Sequence, residues 1–303
     1  MVKMTHLVAA ALVTPMVNTA SFAGIFDRAD ELFFQRNKGY EASTQARKEY
    51  EKTLQKNLTT EDKVYAVVQM ARLDIYRGSM IPSASQSQKE DALEACIDTI
   101  ELIANTNSQE YHYNRLVCIG SRGKIASTLG RIKWANKMRI AQGPALESTK
   151  INGVYVGGFE SGGILRAMSA LRGNRKAKLL GLYNAQEALE FAQVALASEG
   201  SVYRPFPDHM SGHDFYENFY YLAQAKVAVG IEDEKLASVK EGKDVLVDTI
   251  NTLSELEEAG ELPKGREPET KHYKGLMQEL QSNIQACEGQ SNWRSCLISK
   301  LDD

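Results

Sequence analysis

Four stretches of this chain share one pattern of small residues, and that pattern constrains the fold more than anything else in the sequence. They are "ARKEYEKTL" (Ala46–Leu54), "ALEACIDTI" (Ala92–Ile100), "ALEFAQVAL" (Ala188–Leu196) and "GKDVLVDTI" (Gly242–Ile250), the last with Gly in place of Ala. Each places a small residue first, a core residue four later, Thr or Ala three further on, then Leu or Ile. Residues three and four apart share one face of a helix. Small side chains on that face let a second helix approach closely, as the B helix of a tetratricopeptide-type hairpin requires.

The stretches ahead of them rhyme as well. "MARLDIYRG" (Met70–Gly78) and "LAQAKVAVG" (Leu222–Gly230) put Ala second and Gly last, where a left-handed C-cap is expected. "RGKIASTLG" (Arg122–Gly130) repeats the spacing with Gly for Ala. The expected order is A helix, glycine turn, B helix, several times over. Starts at residues 46, 92, 188 and 242 exclude a strict 34-residue repeat, and the widest gap should hold one more hairpin plus an insertion. Strand patterns are nearly absent. The expected fold is all-α: stacked antiparallel helical hairpins forming a tetratricopeptide-like solenoid with a Gly-rich insertion. A helical bundle without repeats is the alternative.

The segments divide accordingly. Residues 1–23 read as a signal peptide: Lys3 ahead of an apolar run from Leu7 to Val17, closing on Ser21-Phe22-Ala23. Cleavage near Ala23 would export the chain, and the expected location is the periplasm. Residues 24–262 form the helical-repeat domain, with the insertion at about 143–183. Pro263 and Pro268 break the pattern before a capping helix at about Glu269 to Glu288, so that 263–303 comprise this cap and a disulfide loop.

With 36 basic residues, only Lys3 of them in the leader, against 39 acidic ones, nothing suggests a nucleic-acid partner. No stretch after the leader approaches a membrane span. The four cysteines, Cys96, Cys118, Cys287 and Cys296, are even in number and exported, which favours disulfides over zinc. Of three possible pairings, Cys96 with Cys118 and Cys287 with Cys296 is preferred, the second closing the polar loop "EGQSNWRS".

Eight of the 22 glycines crowd between Gly143 and Gly181. Gly157 and Gly162 have the spacing of a P-loop, but Gly163 and Ile164 stand where Lys and Ser or Thr would hold phosphate and magnesium. No βαβ context supports a dinucleotide site either. "INGVYVGG" reads instead as an extended loop or small hairpin over the helices. "SGGILRAMSALRG" then starts a helix, with Ser161 as N-cap and Gly173 as its stop. Asn184 and Glu187 make a capping-box-like start for the next B helix.

A glycine pair before an Arg-bearing A helix, a basic linker ending "LLGLYNAQEALEFAQVAL" and the later "SGHDFYENFYYLAQAKVAVG" resemble the T component of tripartite ATP-independent periplasmic (TRAP) transporters. The resemblance covers roughly Gly157 to Gly230. It implies an exported, all-helical protein with a pocket in its helical array, associated with a periplasmic substrate-binding subunit and not itself catalytic.

Two groups are candidate binding residues. Glu217, Asn218 and Tyr221 fall opposite the apolar arc of Phe215, Tyr216, Phe219, Tyr220, Leu222 and Ala223. They are either a solvated surface or the wall of a concave groove. Arg166 lies in the first turn after Gly162-Gly163, where a carboxylate would satisfy it. Glu160 is the expected partner, and a small carboxylate ligand the alternative. Arg172 and Arg175 can be read in the same two ways. His209, His213 and Glu217 stand at steps of four, a metal-binding face if one helix held them. Ser211-Gly212 reads as the helix start, however, with Ser211 or Asp214 capping, and leaves His209 outside. No metal or cofactor is expected. The function read from the sequence is a non-catalytic binding or scaffold protein, an accessory of solute uptake, taking a partner protein or a small carboxylate or apolar ligand in a helical groove. The competing readings are a cell-envelope enzyme using His209, His213 or Glu160, and a cell-wall or secretion scaffold.

Overall fold

The computed structural model describes residues 24–206 and 209–302. The leader expected at residues 1–23 lies outside them. Twelve α-helices carry the described chain. They are α1 (Asp27–Phe34), α2 (Tyr40–Leu54), α3 (Thr60–Ser79), α4 (Gln86–Ile100), α5 (Gln109–Ile125), α6 (Thr128–Glu147), α7 (Phe159–Arg172), α8 (Ala185–Leu196), α9 (Glu217–Glu232), α10 (Leu236–Ala259), α11 (Glu267–Cys287) and α12 (Trp293–Asp302). Consecutive helices pack as antiparallel hairpins, so the fold is all-α, as expected.

Local chemistry explains several of the starts. Thr59, Ser85, Ser108, Ser127 and Asn184 each accept a backbone N–H from within the first turn, satisfying one of its unpaired donors. Asn184 accepts from Glu187 N at 3.2 Å, the start read from the sequence.

The four templates are α2, α4, α8 and the middle of α10. Their recurring positions point inward: Ala46, Tyr50 and Thr53, then Ala92, Cys96 and Thr99, then Ala188, Ala192 and Ala195, then Gly242, Leu246 and Thr249 are all buried. The closeness they allow is greatest at Gly242, where a Cβ would sit 2.9 Å from the Ala223 carbonyl oxygen of α9.

The A-helix glycines work differently from the expectation. Gly78 and Gly230 lie inside α3 and α9 in helical conformation and are not left-handed caps. Their lack of a side chain admits the next helix: a Cβ would fall 2.4 Å from Leu93 Cγ at Gly78 and 2.9 Å from Val239 N at Gly230. Arg122–Gly130 is likewise not an A helix with a terminal glycine. It straddles the junction of α5 and α6, broken at Ala126 and restarted by Ser127.

The widest gap between templates holds the α5–α6 hairpin and, after it, a short β-hairpin. In that hairpin β1 (Lys150–Ile151) pairs antiparallel with β2 (Val154–Tyr155) across Asn152-Gly153, both at positive φ. A second ribbon pairs β3 (Ser201–Val202) with β4 (His209–Met210) ahead of α9. The expected cap is α11, which buries Met277, Leu280 and Ile284 against Leu246 and Leu253 of α10. Disulfides join Cys96 of α4 to Cys118 of α5 and Cys287 of α11 to Cys296 of α12, with Cα separations of 5.8 and 5.6 Å. These two bridges suit an oxidising, secreted setting. No helix among the described residues is long and apolar enough to cross a membrane.

Candidate functional site

The chain enters α7 through three consecutive left-handed residues: Glu160 (φ 48°), Ser161 (φ 45°) and Gly162 (φ 86°). Such a conformation costs a non-glycine residue roughly 1–2 kcal/mol, so the surroundings must hold it. They do so by hydrogen bonding. Phe159 N donates to Gln109 Oε1 at 2.7 Å, Ser161 N to the Tyr203 hydroxyl at 2.9 Å, and Ser161 Oγ to the Met210 carbonyl at 2.9 Å. Ser161 is therefore not the N-cap of α7. Its hydroxyl is used to pin the kink to the β3–β4 ribbon. Gly162 is confined to glycine by its φ and by α8, since a Cβ there would lie 2.6 Å from Ala195 Cα.

The kink turns Glu160 inward, where it is 3% exposed. One of its carboxylate oxygens pairs with Arg72 of α3, and the other accepts from Arg166 of α7 at 3.3 Å. Arg166 reaches Glu217 of α9 at 3.7 Å, and Glu217 in turn accepts from Arg266, just ahead of α11, at 2.5 Å. Asn218 closes the arrangement, accepting from Arg166 at 3.2 Å and donating to the Gly212 carbonyl at 2.7 Å. Three guanidiniums and two carboxylates thus alternate through the interior, drawn from four segments of the chain.

The surplus positive charge meets aromatic faces. Phe215 is held between Arg166 and Arg266, whose guanidinium carbons stand 4.6 and 4.5 Å from its centroid. Arg72 lies 5.4 Å from the Phe206 centroid. Cation–π attraction is strongest where water is excluded. For Glu217, burial pushes the carboxyl up, but Arg266 and Arg166 outweigh it and hold it below the usual carboxylate range. Burial pushes the Tyr221 hydroxyl well up, and Tyr273 lies 3.0 Å from it.

Neither sequence reading of Glu217 and Asn218 describes their position. They form neither a solvated face nor an open groove wall: both are buried, with α7, α8 and α11 packed on α9. Glu160, Arg166, Glu217 and Asn218 are brought together, with Tyr221 at the margin. Arg172 stands apart at the far end of α7, donating to the Leu182 carbonyl at 2.9 Å and pairing with Glu187. Arg175 pairs with Glu232. His209 is exposed on β4, and His213 is exposed with its ring against Phe219. The helix beyond them begins at Glu217, later than Ser211-Gly212, so the three residues do not share one helical face. No group of three or more potential metal ligands occurs among the described residues. Arg72 and Arg266 were not singled out from the sequence. Arg72 stands in a helix flanked on all sides by core positions, the one signal that could have marked it.

A second polar cluster lies between α2, α3 and α4. Buried Asp74 accepts from Arg47 at 2.9 Å and pairs with Arg77, while Arg47 donates to Thr99 Oγ1 at 3.0 Å. Burial raises the Asp74 carboxyl in spite of both arginines. Here the surface opens into a recess of about 300 Å³, lined by Thr44, Arg47, Lys48, Glu51, Arg77 and Asp91 among others, with Glu51 pairing with Arg47 at 3.3 Å. Arg77 Nε is buried without a hydrogen-bond partner.

The two clusters differ in what they leave available. Both carboxylates of the Glu160 network are paired with arginine. The Asp74 cluster lies beside open volume, into which Lys48 is exposed. No family model matches the sequence, and no curated protein matches it.

Proposed function

We propose that this is an exported, non-catalytic binding protein whose helical hairpins hold a partner protein and a small carboxylate, as an accessory of solute uptake. One observation carries the reading. The recess among α2, α3 and α4 combines about 300 Å³ of open volume with the side chains of Arg47, Lys48 and Arg77. That volume is at the lower end of the range for small-molecule sites. Three cationic side chains around that volume favour an anionic ligand, with which guanidinium and ammonium groups make charge-assisted hydrogen bonds. The saturated Glu160 network supports the non-catalytic part, because paired carboxylates lack the free lone pairs and tuned acidity of general catalysis. A periplasmic substrate-binding subunit, the partner implied by the TRAP resemblance, is the specific form of the partner proposal.

Calorimetric titration of the chain from Gly24 with small mono- and dicarboxylates tests the ligand. Saturable binding is expected, weakened at least tenfold by Lys48→Ala, which changes only an exposed side chain. The absence of saturable heat across the panel would overturn the ligand reading. Pull-down from exported-compartment extract tests the partner: a substrate-binding subunit supports uptake, and cell-wall enzymes would replace it with a wall scaffold.

A further inference from the structure

Among the B helices, α6 alone lacks the small-residue template, and its outer face is unlike theirs. The inner face packs normally: Trp134, Ala135, Met138, Ala141 and Ala145 are buried with Leu116 and Ile119 of α5. The opposite face of such a helix is ordinarily polar. Here Leu129 is 81% exposed, Ile132 51% and Ile140 69%. At 100° per residue they fall, with Asn136, inside one arc of about 80°.

The border of this arc is cationic. Lys133 and Lys137 flank one side and Arg139 the other, with Arg131 beyond, and no acidic residue occurs from Ala126 to Leu146. None of these four cations has a carboxylate partner among the described residues. Arg131 and Arg139 donate to the Ala126 carbonyl and the Asn136 side-chain oxygen, and Lys133 and Lys137 lie over the Trp134 ring. Arg122 on neighbouring α5, by contrast, is paired with Glu90 and Glu94. Arg139 also donates to the Leu180 carbonyl, tying to α6 the short 3₁₀ segment Arg175–Leu180, where Leu179 is 98% exposed.

We propose that this face of α6 seats on an anionic phospholipid surface. Leu129, Ile132 and Ile140 enter the boundary between headgroups and acyl chains, and Lys133, Lys137 and Arg139 meet lipid phosphates. The occupant is chosen by charge: unpaired cations surround the hydrocarbon in a chain whose acidic residues outnumber its basic ones. Apolar side chains centred on a cationic helical face are the pattern of a helix lying in a membrane interface. Binding of this kind needs no membrane-spanning helix and is independent of the carboxylate recess.

Cosedimentation of the chain from Gly24 with vesicles of phosphatidylglycerol and phosphatidylethanolamine, against vesicles of phosphatidylcholine alone, tests this. Binding is expected to the anionic vesicles only and to weaken as salt rises. Lys133→Gln with Lys137→Gln should weaken it by about fivefold for each charge removed. Leu129→Ser, Ile132→Ser and Ile140→Ser together should weaken it at least tenfold, with the thermal midpoint unchanged because the side chains are exposed. The proposal fails if anionic vesicles do not bind, if neutral vesicles bind equally, or if neither variant weakens binding. It also fails if size-exclusion chromatography shows a dimer that the serine variant dissociates while vesicles remain unbound, since the face would then belong to a second copy.

Discussion

The network around Glu160 and the outer face of α6 each reverse the usual placement of charge and hydrocarbon, and they do so in opposite senses. Around Glu160, five ionised side chains are withdrawn from water and answer one another through alternating pairs and the ring of Phe215. Along α6, three aliphatic side chains are left in water among cations that have no carboxylate partner among the described residues. The first arrangement pairs its charges within the chain. The second leaves its cations without carboxylate partners among the described residues, and the phosphates of the proposed lipid surface would take that place. Saturation of charge is what distinguishes the two regions.

The contrast makes graded predictions. Glu160→Gln should be the most damaging, because it leaves Arg72 and Arg166 buried without their shared carboxylate. Breaking a buried pair in this way costs about 3–5 kcal/mol, to be read from urea unfolding followed by circular dichroism. A cost below 1 kcal/mol would mean that the cluster is hydrated and the contrast false. Gly162→Ala should follow at about 2–3 kcal/mol, since it combines a left-handed φ with a 2.6 Å approach to Ala195 Cα.

Acid should next separate the Glu160 network from the Asp74 cluster. Glu217 is held below its unfolded value, so its contribution is complete above about pH 4.3 and disappears as pH falls through the folded value. Asp74 is raised, so its contribution has the opposite sign, complete below about pH 3.9 and lost as pH rises through its folded value. Stability measured from pH 7 down to pH 3 should therefore fall less steeply in Glu217→Gln than in the parent, although the variant is weaker throughout. An unchanged slope would detach Glu217 from the network. The smallest effect belongs to α6, where the triple serine variant should change stability by less than about 0.5 kcal/mol. A large loss would show that Leu129, Ile132 and Ile140 are covered within the folded chain.

Much of the architecture was legible in advance, and particular residues show why. Ala46, Ala92, Ala188 and Gly242 were readable as contact positions because a helix repeats its faces every 3.6 residues, whatever covers them. Asn184 was readable because a cap acts within four residues. Gly78 and Gly230 were legible as important but not in their role, since only the positions of Leu93 and Val239 distinguish close packing from a left-handed turn. Ser161 was misplaced because its partners, Tyr203 and Met210, lie some forty residues away. Of the candidate site, the pairing of Arg166 with Glu160 was legible from nearness along the chain. The completion of the network by Arg72 and Arg266 was not.

The sequence by itself determined the helices, the buried face of each templated one, the nearer cysteine pairings and the likeness of one hairpin to the next. These properties are local, set by side-chain periodicity and by capping within a few bonds. Only the tertiary structure decided which charges lose their water and which hydrocarbons keep it. The desolvation of a side chain is a sum over every element that covers it. For Glu217 that cover includes Arg166 of α7 and Arg266 ahead of α11, whereas Leu129 stays 81% exposed among the described residues.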